Sequence, residues 1–146
     1  MRSLALGTGL SFALVLLSGS APANAPALSI GAVSARIPAG NFVGPLKQAL
    51  EEELSQAALP PKAKRKSFVL DATLLKLTAE KKDDGARATA VVSVVLRRAG
   101  DSALHAMLSG KATAEDSASV EATRDTALRA AVRSALRGLP QAVAAE

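Results

Sequence analysis

The sequence predicts an α+β fold: a four-stranded, mainly antiparallel sheet with two helices on one face, in the order β-α-β-β-β-α. Between residues 67 and 115, apolar residues alternate with other residues in three runs that two turns separate. On either side of this region, apolar residues recur at the spacing of a helix. A loosely alternating run before the first helix supplies the fourth strand, so one sheet and two helices bury every apolar stripe.

The first 23 residues have the organisation of a secretory signal peptide. Arg2 gives a positive n-region, residues 10–17 form an apolar segment, and two overlapping small-x-small sites follow at residues 21–23 and 23–25. We expect cleavage to leave Asn24 as the first residue of an exported protein, periplasmic or secreted. The other interpretation is an N-terminal membrane anchor, for which the apolar run falls short of the roughly 20 residues that span a bilayer.

The mature chain, residues 24–146, has the length of one domain, with a tail at residues 141–146 that we expect to be frayed. It has no cysteine, which excludes a disulfide framework, thiolate metal sites and a cysteine nucleophile. Ser20 stands where the lipoprotein processing box that Leu17-Ser18-Gly19 resembles would have its lipidated cysteine. That match is either chance or the trace of a lost lipidation site. We expect no membrane-spanning segment after signal removal.

A strand and a helix are predicted ahead of the central region. The strand spans residues 27–37, and the sequence does not reveal its neighbour in the sheet. The helix begins near Gly44-Pro45 and ends before Pro60-Pro61, and its three carboxylates at residues 51–53 are expected to be solvated. The residues expected to face the core are Leu28, Ile30 and Ala32 of the strand and Leu46, Leu50, Leu54 and Ala57 of the helix.

The central region consists of three strands. The first begins at residue 68, the second runs from residue 86 to 98, and the third runs from residue 102 to 115. Gly85 and Gly100 lie in the two turns, and such short connections make both pairings antiparallel. One face mixes polar and small apolar residues and is expected to meet water or a partner. The predicted buried face consists of Phe68, Leu70, Ala72, Leu74, Ala88, Ala90, Val92, Val94, Leu96, Leu104, Ala106, Leu108, Gly110 and Ala112.

The second helix is predicted from an N-cap within residues 116–119 to Arg137. Gly138 fits the left-handed position just after a helix, Leu139 the hydrophobic contact beyond it, and Pro140 prevents continuation. The apolar stripe of this helix is Leu128, Ala131, Val132, Ala135, Leu136 and Leu139.

Basic residues form two candidate contact sites for anionic groups. Removing Arg2 with the signal lowers the net charge from +5 to +4. In an exported protein this mild excess favours anionic lipids, glycans or acidic proteins over nucleic acid. Each site has a second interpretation: the loop site as a solvated linker, and the helix site as the water-facing side of an amphipathic helix. The candidate residues are Lys62, Lys64, Arg65 and Lys66 in the loop after the first helix and Arg129, Arg133 and Arg137 on the last helix.

The sequence predicts no catalytic chemistry. His105 is the one histidine, so a multi-histidine metal site is excluded. The alternation places it half-exposed on the strand face opposite Leu104 and Ala106. The mature chain has no nucleophile-elbow motif and no glycine-rich phosphate loop. We therefore expect neither enzyme activity nor a cofactor.

A signal peptide followed by this order of elements resembles small bacterial envelope lipoproteins of the lipopolysaccharide-assembly and transport-auxiliary types. The hairpin at Asp84-Gly85, the strand end Val94-Val95-Leu96-Arg97-Arg98 and the helix end Leu136-Arg137-Gly138-Leu139-Pro140 carry the resemblance, which covers residues 28–139. It implies a non-enzymatic periplasmic adaptor, or an assembly or transport accessory, that binds an envelope protein. Ser20 is a departure, so outer-membrane anchoring is not implied. The charge supports the alternative of a binder of anionic lipid or glycan.

Overall fold

A computed structural model describes residues 28–37, 41–57, 67–100, 103–117 and 119–145. The predicted signal peptide and the predicted basic loop after the first helix therefore lie outside the described residues. None of the helices in the described ranges is long and apolar enough to cross a membrane. The elements are β1 (Leu28–Ala35), α1 (Val43–Gln56), β2 (Phe68–Lys82), β3 (Gly85–Arg98), β4 (Leu104–Asp116), α2 (Val120–Leu136) and α3 (Leu139–Ala144).

The described elements confirm the α+β class and give a mixed sheet with the strand order β1-β2-β3-β4. The pairs β2–β3 and β3–β4 are antiparallel, as predicted. The first strand pairs with β2 in parallel, because the α1 crossover returns the chain to the end of the sheet from which β1 started. The prediction of a mainly antiparallel sheet therefore holds for β2, β3 and β4, whereas β1 is parallel to its neighbour.

The core lies between the sheet and the helices. On β2 and β3 every second residue from Phe68 to Leu74 and from Ala86 to Leu96 is buried, which confirms the predicted face of both strands. Leu46 and Leu50 of α1 reach the same cluster as Leu128 of α2 and Leu139 of α3, so the helices share one side of the sheet. We call the opposite side the open face.

Two irregularities displace residues from their predicted faces. The register of β1 against β2 shifts between Ile30 and Val33, so Val33 packs on the core and Ala32 is exposed. In β4, Leu104 pairs with Arg97 and Ala106 with Leu96, which leaves one extra residue between them. Leu104 is therefore 63% exposed rather than buried. A bulge shifts side chains by one position, which alternation alone does not reveal.

The last helix is placed by its N-cap and by a close approach to β4. Ser119 is the N-cap, and its hydroxyl accepts a hydrogen bond from the Ala122 amide at 3.2 Å, as the sequence predicts. Gly110 of β4 lies directly under α2, where a Cβ would meet the Ala131 carbonyl oxygen and the Ala135 amide. The absence of a side chain at residue 110 therefore sets how closely α2 approaches the sheet.

The C-terminal residues correct the predicted helix end and the frayed tail. Gly138 has φ −81° and not the left-handed conformation, and it is the N-cap of α3, which has Pro140 in its first turn. Leu139 and Val143 are buried in the core. The apolar side chains of residues 139–143 continue the stripe of α2, so this segment packs as a short helix instead of fraying.

Candidate functional site

The predicted basic ridge on α2 is largely occupied by contacts with α1. The Arg129 guanidinium lies 3.6 Å from the Glu52 carboxylate, and the Arg133 guanidinium lies 3.0 Å from that of Glu53. Arg137 is exposed and has no ion-pair partner within the part of the chain that the structure describes. Two of the three carboxylates that were expected to be solvated therefore bind the ridge, and they leave one of its three arginines for an external anion.

Arg133 makes the closest of these contacts. Its Nε donates to both carboxylate oxygens of Glu53, at 3.2 and 3.3 Å, and its Nη2 donates at 3.0 Å. These hydrogen bonds raise the pKa of the Arg133 guanidinium above its ordinary value. The two residues are 80 positions apart, so the pair joins the helices. The loop cations Lys62, Lys64, Arg65 and Lys66 lie outside the described residues and stay a prediction.

The open face carries side chains in rows, because cross-strand partners stand beside one another. One row of hydroxyls crosses all four strands at Ser34, Thr73, Ser93 and Ser109. The next rows towards the β2–β3 turn are Lys76–Val91–Lys111, then Thr78–Thr89–Thr113, then Glu80–Arg87–Glu115. The rows in the other direction are Asp71–Val95–Met107 and Val69–Arg97–Leu104.

Asp71 connects three strands on this face. It accepts a hydrogen bond from Arg97 Nε of β3 at 2.6 Å and one from the Ala32 amide in the β1 irregularity at 2.8 Å. The bond from Arg97 is the largest influence that holds the pKa of the Asp71 carboxyl below its ordinary value of 3.8. Partial burial opposes this shift, and the Ala32 amide adds to it. The carboxylate thus fixes the edge strand β1 and is neutralised by its own neighbour.

The row Lys76–Val91–Lys111 differs from the others in its charged side chains. Lys76 and Lys111 are exposed, and neither has an ion-pair partner among the described residues. Each ammonium group is therefore available to an external anion. Large apolar side chains are exposed on the same face, at Leu104 (63%) and Met107 (66%). Strict alternation after Leu74 would turn Lys76 towards the core, and the register shift between Leu74 and Lys76 places it on the open face, which the sequence pattern does not show.

The outer edge of β4 is a second candidate site. This strand is 13 residues long, and within the described part of the chain it pairs with β3 alone. A paired edge strand keeps half of its backbone N–H and C=O groups directed outward, where another strand can bind them. The β1 edge is shorter, at 8 residues, and its register is interrupted.

His105 does not lie where the alternation places it. It is the extra residue of the β4 irregularity, and its ring centroid lies 5.0 Å from that of the core residue Phe68. Its Nε2 lies 2.6 Å from the Ala142 carbonyl oxygen, which can only accept, so Nε2 carries the proton and donates. His105 thus connects β4 to α3. Among the described residues, no three His, Cys, Asp or Glu side chains lie close enough together to hold a metal ion.

No protein-family model and no curated protein sequence matches this chain. Solved structures do resemble it. The PelC dodecamer from Paraburkholderia phytofirmans has a TM-score of 0.61 at 11% identity, covering 80% of this chain and 89% of that one. The hypothetical protein CT253 from Chlamydia trachomatis has a TM-score of 0.55 at 11% identity, covering 83% and 99%.

A putative lipoprotein from Caulobacter crescentus CB15 has a TM-score of 0.46 at 14% identity, covering 80% of this chain and 87% of that one. That likeness is too distant to support an argument. At 11% identity the first two likenesses are likenesses of fold. They show that the arrangement of sheet and helices described here occurs in other bacterial proteins, and that one of these proteins forms a dodecamer.

Proposed function

We propose that this protein is a non-enzymatic, exported envelope protein that acts as a periplasmic adaptor or as an assembly or transport accessory. The observation that carries the proposal is the free edge of β4, 13 residues long and paired on one side within the described chain. Long free edges favour unwanted pairing in a protein that works alone. In a protein that works by association, the same edge provides backbone hydrogen bonds to a partner strand.

The composition of β4 supports an edge that accepts a partner. Between Ala106 and Gly110, beyond the irregularity at His105, it carries no charge and no proline, two of the devices that prevent pairing. The PelC structure, similar in fold, is a dodecamer, so this arrangement of elements is compatible with extensive protein–protein contact. We expect the partner to be an envelope protein or further copies of this chain.

Two single proline substitutions in β4 test this proposal. Adjacent backbone N–H groups of a strand point to opposite edges, so Ala112→Pro and Thr113→Pro remove one inward and one outward donor. The variant that keeps the wild-type melting temperature lacks the outward donor. We expect that variant to lose the stoichiometric partner that wild type retains in a pull-down from envelope extract, or to lose its own oligomers in sedimentation velocity. Wild type without partner or oligomer, or partner binding unchanged in that variant, would contradict the proposal.

The second candidate function is binding of anionic lipid or glycan through the predicted basic patches. Arg137 favours it, because its guanidinium is exposed and without an ion-pair partner in the described chain. Arg129 and Arg133 count against it, because α1 carboxylates already neutralise them. Glutamine variants of the loop cluster and of the ridge should lower polyanion binding at low salt if this function holds. Binding that both variants retain would reject it.

A further inference from the structure

One part of the open face combines free cations with exposed apolar side chains. We call this part the lysine–methionine patch. It lies on one sheet face, where the hydroxyl row of Ser93 and Ser109 separates its apolar rows from its lysine row; its members are Lys76, Val91, Val95, Leu104, Met107 and Lys111. None of them belongs to the loop or the ridge that the sequence singled out. The patch therefore assigns the anionic lipid of the second candidate function to a different surface, and it does not depend on the β4 edge.

The patch is positive, because it contains two lysines and no carboxylate. Of the nearest carboxylates on the open face, Asp71 and Glu115 are paired, and Glu80 is the cross-strand neighbour of Arg87. Asp71 lies 2.6 Å from Arg97, and Glu115 lies 3.2 Å from Arg87. The ammonium groups of Lys76 and Lys111 have no such partner in the described ranges. Two unneutralised cations thus lie on one face, with the short side chain of Val91 between them.

The apolar side chains of the patch are exposed to an extent that is unusual for this protein. Four large hydrophobic side chains are exposed among the described residues, and Leu104 and Met107 are the most exposed of them. They lie on the β4 side of the patch, about 13 Å or more along the strand from Lys111. Exposed apolar groups beside cations are typical of surfaces that dock on membranes or partners.

We propose that the lysine–methionine patch docks on the surface of an anionic lipid bilayer. The lysines contact headgroup phosphates, and Leu104 and Met107 enter the boundary between headgroups and acyl chains. A sheet of four strands is a slab about 14 Å wide across its strand axes, so side chains of one face reach a planar surface together. The positive charge of the patch and the negative charge of the bilayer are complementary.

The charge disfavours a second copy of the chain as the occupant. Two copies packed face to face about an axis near Val91 would bring the lysines of both copies together with no carboxylate between them. That arrangement is repulsive. An acidic soluble polymer would satisfy the lysines but would leave Leu104 and Met107 in water. The lipid surface is the occupant that satisfies both kinds of side chain.

The experiment is flotation of the protein with vesicles of phosphatidylcholine alone and of phosphatidylcholine with phosphatidylglycerol, across a salt series. Wild type should bind the anionic vesicles and release them as salt rises. Lys76→Gln with Lys111→Gln should lower the binding constant at low salt by about twenty-five-fold, since each lysine near such a surface contributes about fivefold. Leu104→Ser with Met107→Ser should also lower it. Lys47→Gln with Lys81→Gln removes the same charge from the helix side, where Lys81 pairs with the buried Ala86, and should have a much smaller effect.

A fluorescent reporter gives a second readout. The chain has no tryptophan, so Met107→Trp introduces a single one. Its emission should shift to the blue on anionic vesicles, whereas the emission of Val43→Trp on the helix side should not. The proposal would be overturned if the patch and control variants lost binding equally, if the substitutions at Leu104 and Met107 left binding unchanged, or if wild type did not bind the vesicles. The proline variant of β4 that loses protein association should still bind vesicles, so the two proposals fail separately.

Discussion

Asp71 accepts hydrogen bonds from both β1 and β3, and Asp71→Asn should destabilise the protein. The substitution keeps the size of the side chain and removes the charge that attracts Arg97, whose Nε lies 2.6 Å away. We expect a loss of about 1 kcal/mol in the free energy of unfolding, the usual value for such a hydrogen bond. Urea unfolding at about pH 7 measures it. Asp83→Asn in the exposed β2–β3 turn is the matched control and should have little effect.

The dependence on pH identifies the charge as the cause. The pKa of Asp71 is lowered in the folded protein, so its ionised form contributes stability above the ordinary value of 3.8. That contribution is lost as the pH falls through the lowered pKa, because the carboxylate is then protonated in both states. The difference between wild type and Asp71→Asn should therefore close at low pH. A difference that persists there would mean that geometry and not charge stabilises β1.

At the scale of elements, α2 packs closely against β4 at Gly110. A Cβ on Gly110 would meet the Ala131 carbonyl oxygen and the Ala135 amide, which belong to helix backbone and cannot rotate away. Gly110→Ala should therefore push α2 from the sheet and cost about 1–3 kcal/mol of unfolding free energy. Gly44→Ala is the control, because a Cβ there meets nothing within 4 Å. Equal urea midpoints for the two variants would contradict the packing described here.

The sequence predicted the elements whose faces alternate without interruption. Residues 68–74 of β2 and 86–96 of β3 are buried at every second position, as strict alternation requires. The prediction of the buried face failed at the irregularities of β1 and β4, where one extra residue turns Ala32 and Leu104 outward. Such a shift arises from pairing between strands and leaves no local trace in the pattern.

The candidate sites show the same limit. The cationic character of α2 was readable from the spacing of its arginines, but their neutralisation by Glu52 and Glu53 depends on residues 77 to 80 positions away. The open face was predicted as a face that meets water or a partner. The grouping of Lys76, Lys111 and Met107 on it required the register of three strands. Composition gives the net charge, and tertiary structure decides which charges are free.

At the scale of the whole molecule, one side of the sheet is covered by helices and the other side is exposed. The helices cover one side, where Leu128, Leu139 and Val143 complete the core and His105 attaches α3 to β4. The other side and the β4 edge keep side chains and backbone groups available. This division leaves one side of the sheet and one edge free for association while the core stays covered, which the proposed adaptor function requires.

Site-specific photocross-linking in intact cells of the native host tests this division most directly. A photoreactive side chain is placed at Met107 on the open face, at Thr113 on the free edge strand, or at Lys47 on the helix side. The account predicts cross-links to envelope lipid from residue 107 and to a protein partner from residue 113, and few from residue 47. Cross-links concentrated at residue 47, with residues 107 and 113 silent, would contradict it.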